Sequence, residues 1–123
     1  MSQSNYDPDN VFACILDGRL PSQPVDQDEQ TFSFADINPQ APQHHLVIPK
    51  GAYTDLTDFA DRASDAELAA WVRALARVAK TSGVAKEGYR VIVNVGGHGG
   101  QEVPHLHGHV LGGAPLGQML TRR

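Results

Sequence analysis

The stretch Val103–Leu111, which reads VPHLHGHVL, decides the fold of this chain, because three histidines alternate in it with apolar or small residues. Successive side chains of a β-strand point to opposite faces, so a strand over 105–111 places His105, His107 and His109 on one face. The other face is then apolar and can be covered by a core. Six histidines in 123 residues make this alternation improbable by chance, so the sequence predicts that the histidine face has a functional role.

The segments around this stretch predict an α+β domain with a mainly antiparallel sheet. A run of β-branched residues begins at Tyr89, ahead of the glycine-rich loop Gly96–Gly100, and a capping box at Ser64 opens the clearest helix. Residues 1–9 are polar and are expected to form a flexible lead-in to a single domain over 10–123. The predicted elements are two helices, over 10–18 and 64–83, and five strands, over 25–29, 31–37, 44–49, 89–95 and 105–111.

Composition narrows the class of protein further. A chain of 123 residues and 13.3 kDa makes one domain. Its 10 Lys and Arg against 14 Asp and Glu give a net charge of −4, which argues against long nucleic acids as partners. A single cysteine, Cys14, excludes an intramolecular disulfide and favours a reducing compartment. With no basic, apolar leader and no apolar run of about 20 residues, the sequence predicts a cytoplasmic protein with no membrane partner.

Two kinds of chemistry could use the histidine face. Zinc can bind two imidazoles of a strand, but His105 and His109 would have Cα atoms about 13 Å apart, which does not suit a tetrahedral ion. A two-histidine zinc site would need a carboxylate or His44 as well. A phosphoryl group suits the row better, because neutral His107 can attack phosphorus while its neighbours donate to the oxygens or the leaving group. We therefore expect neither a metal nor another cofactor.

At these residues the chain resembles the histidine triad (HIT) family, whose signature is His-φ-His-φ-His-φ-φ, with φ apolar. Here the signature reads His105-Leu-His107-Gly-His109-Val-Leu111, with Gly108 where the family prefers a bulkier residue. The likeness runs from about Val11 to Met119 and points to the Hint branch, the purine nucleoside phosphoramidases. Its further motifs are Asp36-Ile-Asn-Pro-Gln-Ala-Pro42, His44, Leu46-Val-Ile-Pro-Lys50, Gly88-Tyr-Arg90, Asn94, Gly99-Gly-Gln101 and Leu111-Gly-Gly113.

The resemblance implies a HIT fold and a hydrolase of purine nucleoside 5′-phosphoramidates or aminoacyl adenylates that releases the nucleoside monophosphate. His107 would attack the α-phosphorus and form a covalent nucleotidyl-histidine, which water then hydrolyses. His105 would orient the triad, His109 would contact the phosphate, and His44 would support the triad or simply be a partly exposed strand histidine. Two other functions stay open: a nucleotide-binding regulatory module without catalysis, and a dinucleoside polyphosphate hydrolase of another HIT branch.

The resemblance also implies a nucleoside site. Asp36 would accept hydrogen bonds from the ribose hydroxyls, although an aspartate ahead of Asn38 could equally form a turn. Asn94 would contact the phosphate or the sugar, or simply end a strand. Ile37 would line the base pocket together with four apolar residues that are also candidates for the core, namely Val11, Phe12, Ile15 and Phe34.

The glycine loop is expected to bring backbone amides of Gly99, Gly100, Gln101 and the next residues close to the phosphate. Glu102 stands where the family has Ser or Thr, and its carboxylate would weaken phosphate binding or recognise the leaving amine. The family also forms homodimers in which the sheet extends across the subunits and the C-terminal segment shapes the partner's pocket. We expect the same assembly here.

Overall fold

Five short strands pair into one antiparallel sheet in the structure, a computed structural model that describes residues 6–120. The helices are α1 (Val11–Leu16), α2 (Leu56–Arg62) and α3 (Asp65–Thr81), and the strands are β1 (Pro24–Gln27), β2 (Thr31–Ala35), β3 (Gln43–Pro49), β4 (Tyr89–Ile92) and β5 (Gly108–Gly112). The strand order is β1-β2-β3-β5-β4. The predicted α+β architecture and its antiparallel five-stranded sheet are confirmed.

Strand β3 occupies the middle of the sheet because its second half is apolar on both faces. The segment Leu46–Pro49 is buried, as expected for a strand that is covered on two sides. Across the β3–β5 pair, Leu46 lies opposite His109 and His44 lies opposite Leu111. Opposite residues of an antiparallel pair point to the same face, so this register puts His44 and His109 on one face of the sheet.

Helix α3 covers the other face of the sheet and forms the larger core with it. Its predicted capping box is present, since Ser64 Oγ accepts from Glu67 N and the Glu67 carboxylate accepts from Ser64 N. Trp71 lies on the buried side of the helix, and its Nε1 donates to Val47 O at 3.0 Å. No helix in the described part of the chain has the length and apolar character needed to cross a membrane.

Helix α1 lies against the face that carries His44. The helix begins at Asn10, whose side chain accepts from Ala13 N. Phe12 points from the helix into a second, smaller core cluster with residues of β2 and β3, and this cluster consists of Phe12, Phe34, Leu46 and Ile48. The face with the histidines therefore has an apolar floor and a helix at its edge.

Helix α2 is an element that the sequence analysis missed. Asp55 caps it by accepting from Asp58 N, and Arg62 pairs with Asp58 at 2.6 Å. Only Phe59 of its seven residues is buried. So short a segment with one buried residue shows no helical period, which explains why two helices were predicted while residues 6–120 contain three.

The histidine strand is shorter than predicted, because β5 begins at Gly108 and not at His105. Pro104 has no N–H, the amide of His105 donates to Val103 O, and the amide of Leu106 donates to Tyr53 O. The amides before Gly108 are thus taken out of the sheet ladder. The predicted strand over 89–95 likewise ends earlier, at Ile92.

Candidate active site

A cleft of about 610 Å³ opens on the face of the sheet that carries α1, and this volume is typical of sites for small organic ligands. Its apolar lining includes Val11, Phe12, Ile15, Leu20, Phe34 and Ile37. Its polar lining includes Asp36, Asn94, Gly100, Glu102, His107 and His109. Most of the predicted site residues therefore meet in one cleft. Three of them do not line it and instead hold residues that do, namely His44, His105 and Gln101.

The first histidine of the triad is buried and held at both ring nitrogens. His105 is 0% exposed, and its Nε2 lies 2.8 Å from Pro49 O. A carbonyl oxygen can only accept, so Nε2 carries the proton and Nδ1 accepts from the Tyr6 hydroxyl at 2.6 Å. Burial lowers the pKa of His105 to about 4, which keeps the ring neutral near pH 7. His105 is thus fixed in one tautomer.

The middle histidine has an unprotonated nitrogen available for chemistry. His107 Nδ1 lies 2.8 Å from His105 O and must donate to it, so in the neutral ring Nε2 carries the lone pair. Burial lowers the pKa of His107, and the carboxylates of Asp36 and Glu102 oppose this shift only in part. The ring packs edge to face on Phe12, with centroids 4.9 Å apart, which fixes its plane.

A chain of hydrogen bonds joins His109 to Asp36 through His44. The amide of Gln40 donates to His44 Nδ1 at 3.1 Å, so neutral His44 carries its proton on Nε2. That nitrogen lies 2.9 Å from His109 Nδ1 and 3.3 Å from Asp36 Oδ2. His109 therefore accepts at Nδ1 and keeps its own proton on Nε2. Burial lowers the pKa of His109 to about 4, so this ring is a neutral hydrogen-bond donor near pH 7.

Among the residues that the structure describes, these three side chains form the group that could bind one metal ion, since each offers one ligand atom. The ligand atoms of Asp36, His44 and His109 lie within 4.8 Å of one another. Both nitrogens of His44 are already used, one by Gln40 N and one by His109, so an ion would cost one of these hydrogen bonds. His105 is not part of this set. The geometry thus favours a relay of hydrogen bonds over a metal centre.

Two of the loop amides that the sequence predicts to face a phosphate are used inside the loop itself. The amide of Gly100 donates to Gly97 O and that of Gln101 to Gly96 O, both at 3.1 Å, so neither is available to a ligand. The Gln101 side chain braces the loop by donating to Thr54 O and Val103 O. Glu102 and Val103 both line the cleft, and within the described residues their amides donate to no acceptor. Glu102 and Val103 therefore supply the loop amides that line the cleft and remain available as donors to a ligand.

Asp36 forms the turn that the sequence left open as an alternative to ribose binding. Its Oδ1 accepts from Asn38 N at 2.8 Å, and its Oδ2 faces His44. A carboxylate offers about four lone-pair positions, so both contacts leave capacity for ribose hydroxyls. Ile37 follows it at the rim of the cleft and is 89% exposed, and Asn94 lines the same cleft from just beyond the end of β4.

Gly108 is explained by what lies on the far side of the sheet. A Cβ at this position would lie 2.8 Å from Leu75 Cδ2 and 3.2 Å from Trp71 Cζ2. The space that a bulkier apolar residue takes in the signature is therefore filled by side chains of α3. Trp71 and Leu75 accordingly serve the core and not the ligand.

Sequence reasoning assigned no role to the chain before Asp9, yet Tyr6 reaches the triad. Residues 1–5 of the predicted flexible lead-in lie outside the described residues. The next residues are fastened, because Asn10 N donates to Asp7 O and Arg19 donates to Pro8 O. A single tyrosine in a polar segment carries no pattern that could have predicted this contact.

Comparison with known proteins gives a family and a relative of described function. The model of the HIT domain matches residues 17–116. An uncharacterised 13.2 kDa HIT-like protein of Azospirillum brasilense is 54% identical over 117 residues, which cover 95% of this chain and 96% of that protein. The purine nucleoside phosphoramidase of Escherichia coli K12 is 41% identical over 115 residues, which cover 94% of this chain and 96% of that enzyme.

Solved structures agree with these sequence relatives. A HIT family hydrolase from Clostridium thermocellum superposes with a TM-score of 0.83 at 39% identity, covering 91% of this chain and 97% of that one. A histidine triad protein from Clostridium difficile superposes with a TM-score of 0.80 at 37% identity, covering 98% of this chain and 100% of that one. The family match, the identities and the histidine cleft lead to one conclusion: this chain belongs to the HIT family.

Proposed function

We propose that this protein is a nucleotide-binding hydrolase that cleaves purine nucleoside 5′-phosphoramidates or aminoacyl adenylates to the nucleoside monophosphate. The observation that carries the proposal is the hydrogen bond from His107 Nδ1 to His105 O, because it leaves Nε2 of a neutral ring as a nucleophile at the cleft. The 41% identity to a purine nucleoside phosphoramidase supports this class of substrate.

The reaction runs in two displacements at phosphorus. His107 Nε2 attacks the α-phosphorus, a P–N bond forms, and the bond to the leaving amine, or to the carboxylate of an aminoacyl adenylate, breaks. The leaving group takes the electron pair of the broken bond, and an amine also takes a proton. Water then attacks the same phosphorus and loses a proton, and His107 leaves with the electron pair of its own P–N bond. The products are the leaving group and the nucleoside monophosphate.

His109 assists both displacements as a donor. Its Nε2–H can reach an oxygen of the phosphate or the leaving group, since its other nitrogen is occupied by His44. A bound phosphate raises the pKa of the imidazoles next to it, so His109 takes up a proton more readily in the complex. The Asp36 carboxylate raises the pKa of both His44 and His109 and thereby supports that charge.

The rest of the cleft binds the nucleoside. The apolar wall formed with Phe12 and Phe34 receives the purine, and Ile37 covers it at the rim. Asp36 accepts from the ribose hydroxyls, and the amides of Glu102 and Val103 donate to the phosphate. A site built from imidazoles and amides binds an anion without a basic patch, which agrees with the net charge of −4.

We further propose a homodimer in which the edge strand β4 pairs with the same strand of a partner subunit. Tyr89 and Val91 of β4 are 39% and 40% exposed, and Met119 and Leu120, which lie beside this strand, are 81% and 80% exposed. An exposed apolar edge strand is a template for pairing with another chain.

We place the dimer in the cytoplasm, where the single Cys14 stays reduced. Sedimentation tests the assembly: Val91→Pro is expected to yield monomers, and an unchanged dimer contradicts the β4 interface.

Turnover of a fluorogenic adenosine phosphoramidate tests the proposed reaction. His107→Asn is expected to lose turnover and the nucleotide adduct seen by mass spectrometry after rapid quenching, while AMP still binds. The matched control is His98→Asn, which changes an exposed histidine outside the cleft and retains activity. Full activity in His107→Asn contradicts the assignment.

The same assay separates the alternative functions. A regulatory module binds AMP with negligible turnover in the wild-type protein. A dinucleoside polyphosphate hydrolase cleaves diadenosine polyphosphates with a higher kcat/KM than the phosphoramidate. Sensitivity of the wild-type rate to a chelator, reversed by Zn²⁺, supports a metal at Asp36, His44 and His109 instead of the relay.

A further inference from the structure

We propose that Tyr6 is a positioning residue of this active site, which holds His105 in one tautomer and thereby sets the place of His107. The proposal rests on the proposed function, in which His107 is the nucleophile. Tyr6 lies 99 residues from His105 in sequence, and its hydroxyl oxygen is 2.6 Å from His105 Nδ1. The two rings also pack edge to face, with centroids 5.7 Å apart at 66°.

The direction of this hydrogen bond follows from the partner on the far side of the ring. His105 Nε2 donates to Pro49 O, so Nδ1 has no proton and needs a donor. The side chain of His105 is 0% exposed, so bulk water does not reach it. Within the described residues, Tyr6 supplies the one donor to Nδ1. Burial raises the pKa of Tyr6, which keeps the phenol protonated and able to donate.

The contact matters for His107 because the segment between the two histidines lies outside the sheet. His107 Nδ1 donates to His105 O, so the position of the His105 backbone sets the direction of the His107 lone pair. Strand β5 begins only at Gly108, and no ladder hydrogen bond holds His105. The ring of His105, held by Tyr6 at one nitrogen and by Pro49 at the other, replaces the missing ladder.

The segment that carries Tyr6 is itself anchored on the body of the protein. The side chain of Asn10 donates to Asp7 O at 2.7 Å, and the amide of Asp9 donates to Asp7 Oδ1 at 2.9 Å. Arg19 donates to Pro8 O and to Asp9 Oδ1, both at 2.8 Å. These bonds fix the turn before α1, so Tyr6 is presented to His105 from a defined backbone.

Tyr6→Phe in the full-length chain tests the proposal, since it keeps the ring contact and removes only the donor. Two readouts are needed: steady-state kinetics with the fluorogenic phosphoramidate, and ¹⁵N NMR of the histidine ring nitrogens, which reports tautomers. We expect kcat to fall about three- to tenfold with KM changed less than twofold. We also expect the His105 Nδ1 resonance to shift and the His107 Nδ1–H signal to broaden.

Arg19→Gln is the control for a general loosening of the segment, because it removes the anchors to Pro8 and Asp9 but leaves the Tyr6 hydroxyl in place. We expect this variant to keep most of the wild-type kcat. An unchanged His105 resonance in Tyr6→Phe overturns the hydrogen bond, and a shifted resonance with unchanged kcat overturns the positioning role. An equal loss of kcat in Arg19→Gln with an unshifted His105 resonance also overturns it, because the loss then occurs with the Tyr6 hydrogen bond intact. If the wild type has no turnover, the proposed function fails, and the His105 and His107 resonances alone decide on Tyr6.

Discussion

Replacement of Gly108 by alanine tests whether α3 and the triad strand are packed to contact. The added Cβ would lie 2.8 Å from Leu75 Cδ2 and 3.2 Å from Trp71 Cζ2. Carbon atoms prefer separations of about 3.5–4.0 Å, so the neighbours or the strand must give way. Trp71 cannot retreat freely, because its Nε1 donates to Val47 O. We expect Gly108→Ala to lower the free energy of unfolding by about 1–3 kcal/mol.

Urea unfolding followed by the fluorescence of Trp71, the single tryptophan, measures this loss at one fixed protein concentration. Part of the strain is expected to move β5, and because His107 and His109 flank Gly108, kcat is expected to fall as well. Gly97→Ala is the matched control, since a Cβ there meets nothing within 4 Å. We expect that variant to retain the wild-type stability within about 1 kcal/mol.

A double-mutant cycle measures the coupling free energy between Leu75 and the methyl group added at position 108. Leu75→Ala removes the side chain that the new methyl group would strike, at a cost of about 2–5 kcal/mol by itself. In that background Gly108→Ala is expected to cost less, because only the looser contact with Trp71 remains, so the coupling free energy should reach about 1 kcal/mol or more. An equal loss in both backgrounds, or no loss in the wild-type background, refutes the packing explanation for this glycine.

Three further predictions concern charge. Burial lowers the pKa of His105 and His109 to about 4, so the unfolded chain binds more protons than the folded chain between about pH 6.5 and 4. The free energy of unfolding should therefore fall as the pH drops through this window. A free energy of unfolding in urea that does not change with pH contradicts this expectation. Glu102→Ser should tighten AMP binding about two- to fivefold in calorimetry, and no change in affinity or leaving-group preference argues against a role of this carboxylate. Asp36→Ala should weaken AMP binding about tenfold and the binding of 2′,3′-dideoxy-AMP clearly less, because lost support for His44 and His109 affects both ligands whereas the ribose contact affects only AMP; equal losses for both ligands exclude the ribose contact.

Much of the fold could be predicted because its signals are local. The capping box at Ser64 and the helical period after it belong to neighbouring residues, and α3 begins where they predict. The strands of the sheet follow the same logic of short-range alternation. Where the local signal is weak the prediction failed, as for α2 with one buried residue, or for the start of β5, which Pro104 and the amide of Leu106 displace to Gly108.

The candidate site was predictable in its residues but not in its protons. The spacing of the histidines and the resemblance of the surrounding motifs named the side chains that meet in the cleft. The loop amides are a different matter, because the glycines predicted a phosphate cradle while the actual turn uses the amides of Gly100 and Gln101 for its own hydrogen bonds. The path of the loop decides which amides remain free, and the amino-acid composition of the loop does not predict that path.

The sequence by itself determined the class of fold, the family and the set of histidines that gather at the cleft. Only the tertiary structure decided which nitrogen of each ring carries the proton. For His105 and His109 the partners that assign the proton lie far away in the chain, since His105 is held by Tyr6, 99 residues away, and by Pro49, 56 residues away, and His109 by His44, 65 residues away. His107 and His44 are set by nearer backbone groups, the carbonyl of His105 and the amide of Gln40, which the path of the folded chain presents to them. An imidazole offers one donor and one acceptor in its neutral form, so its chemistry follows from the groups that folding places beside it.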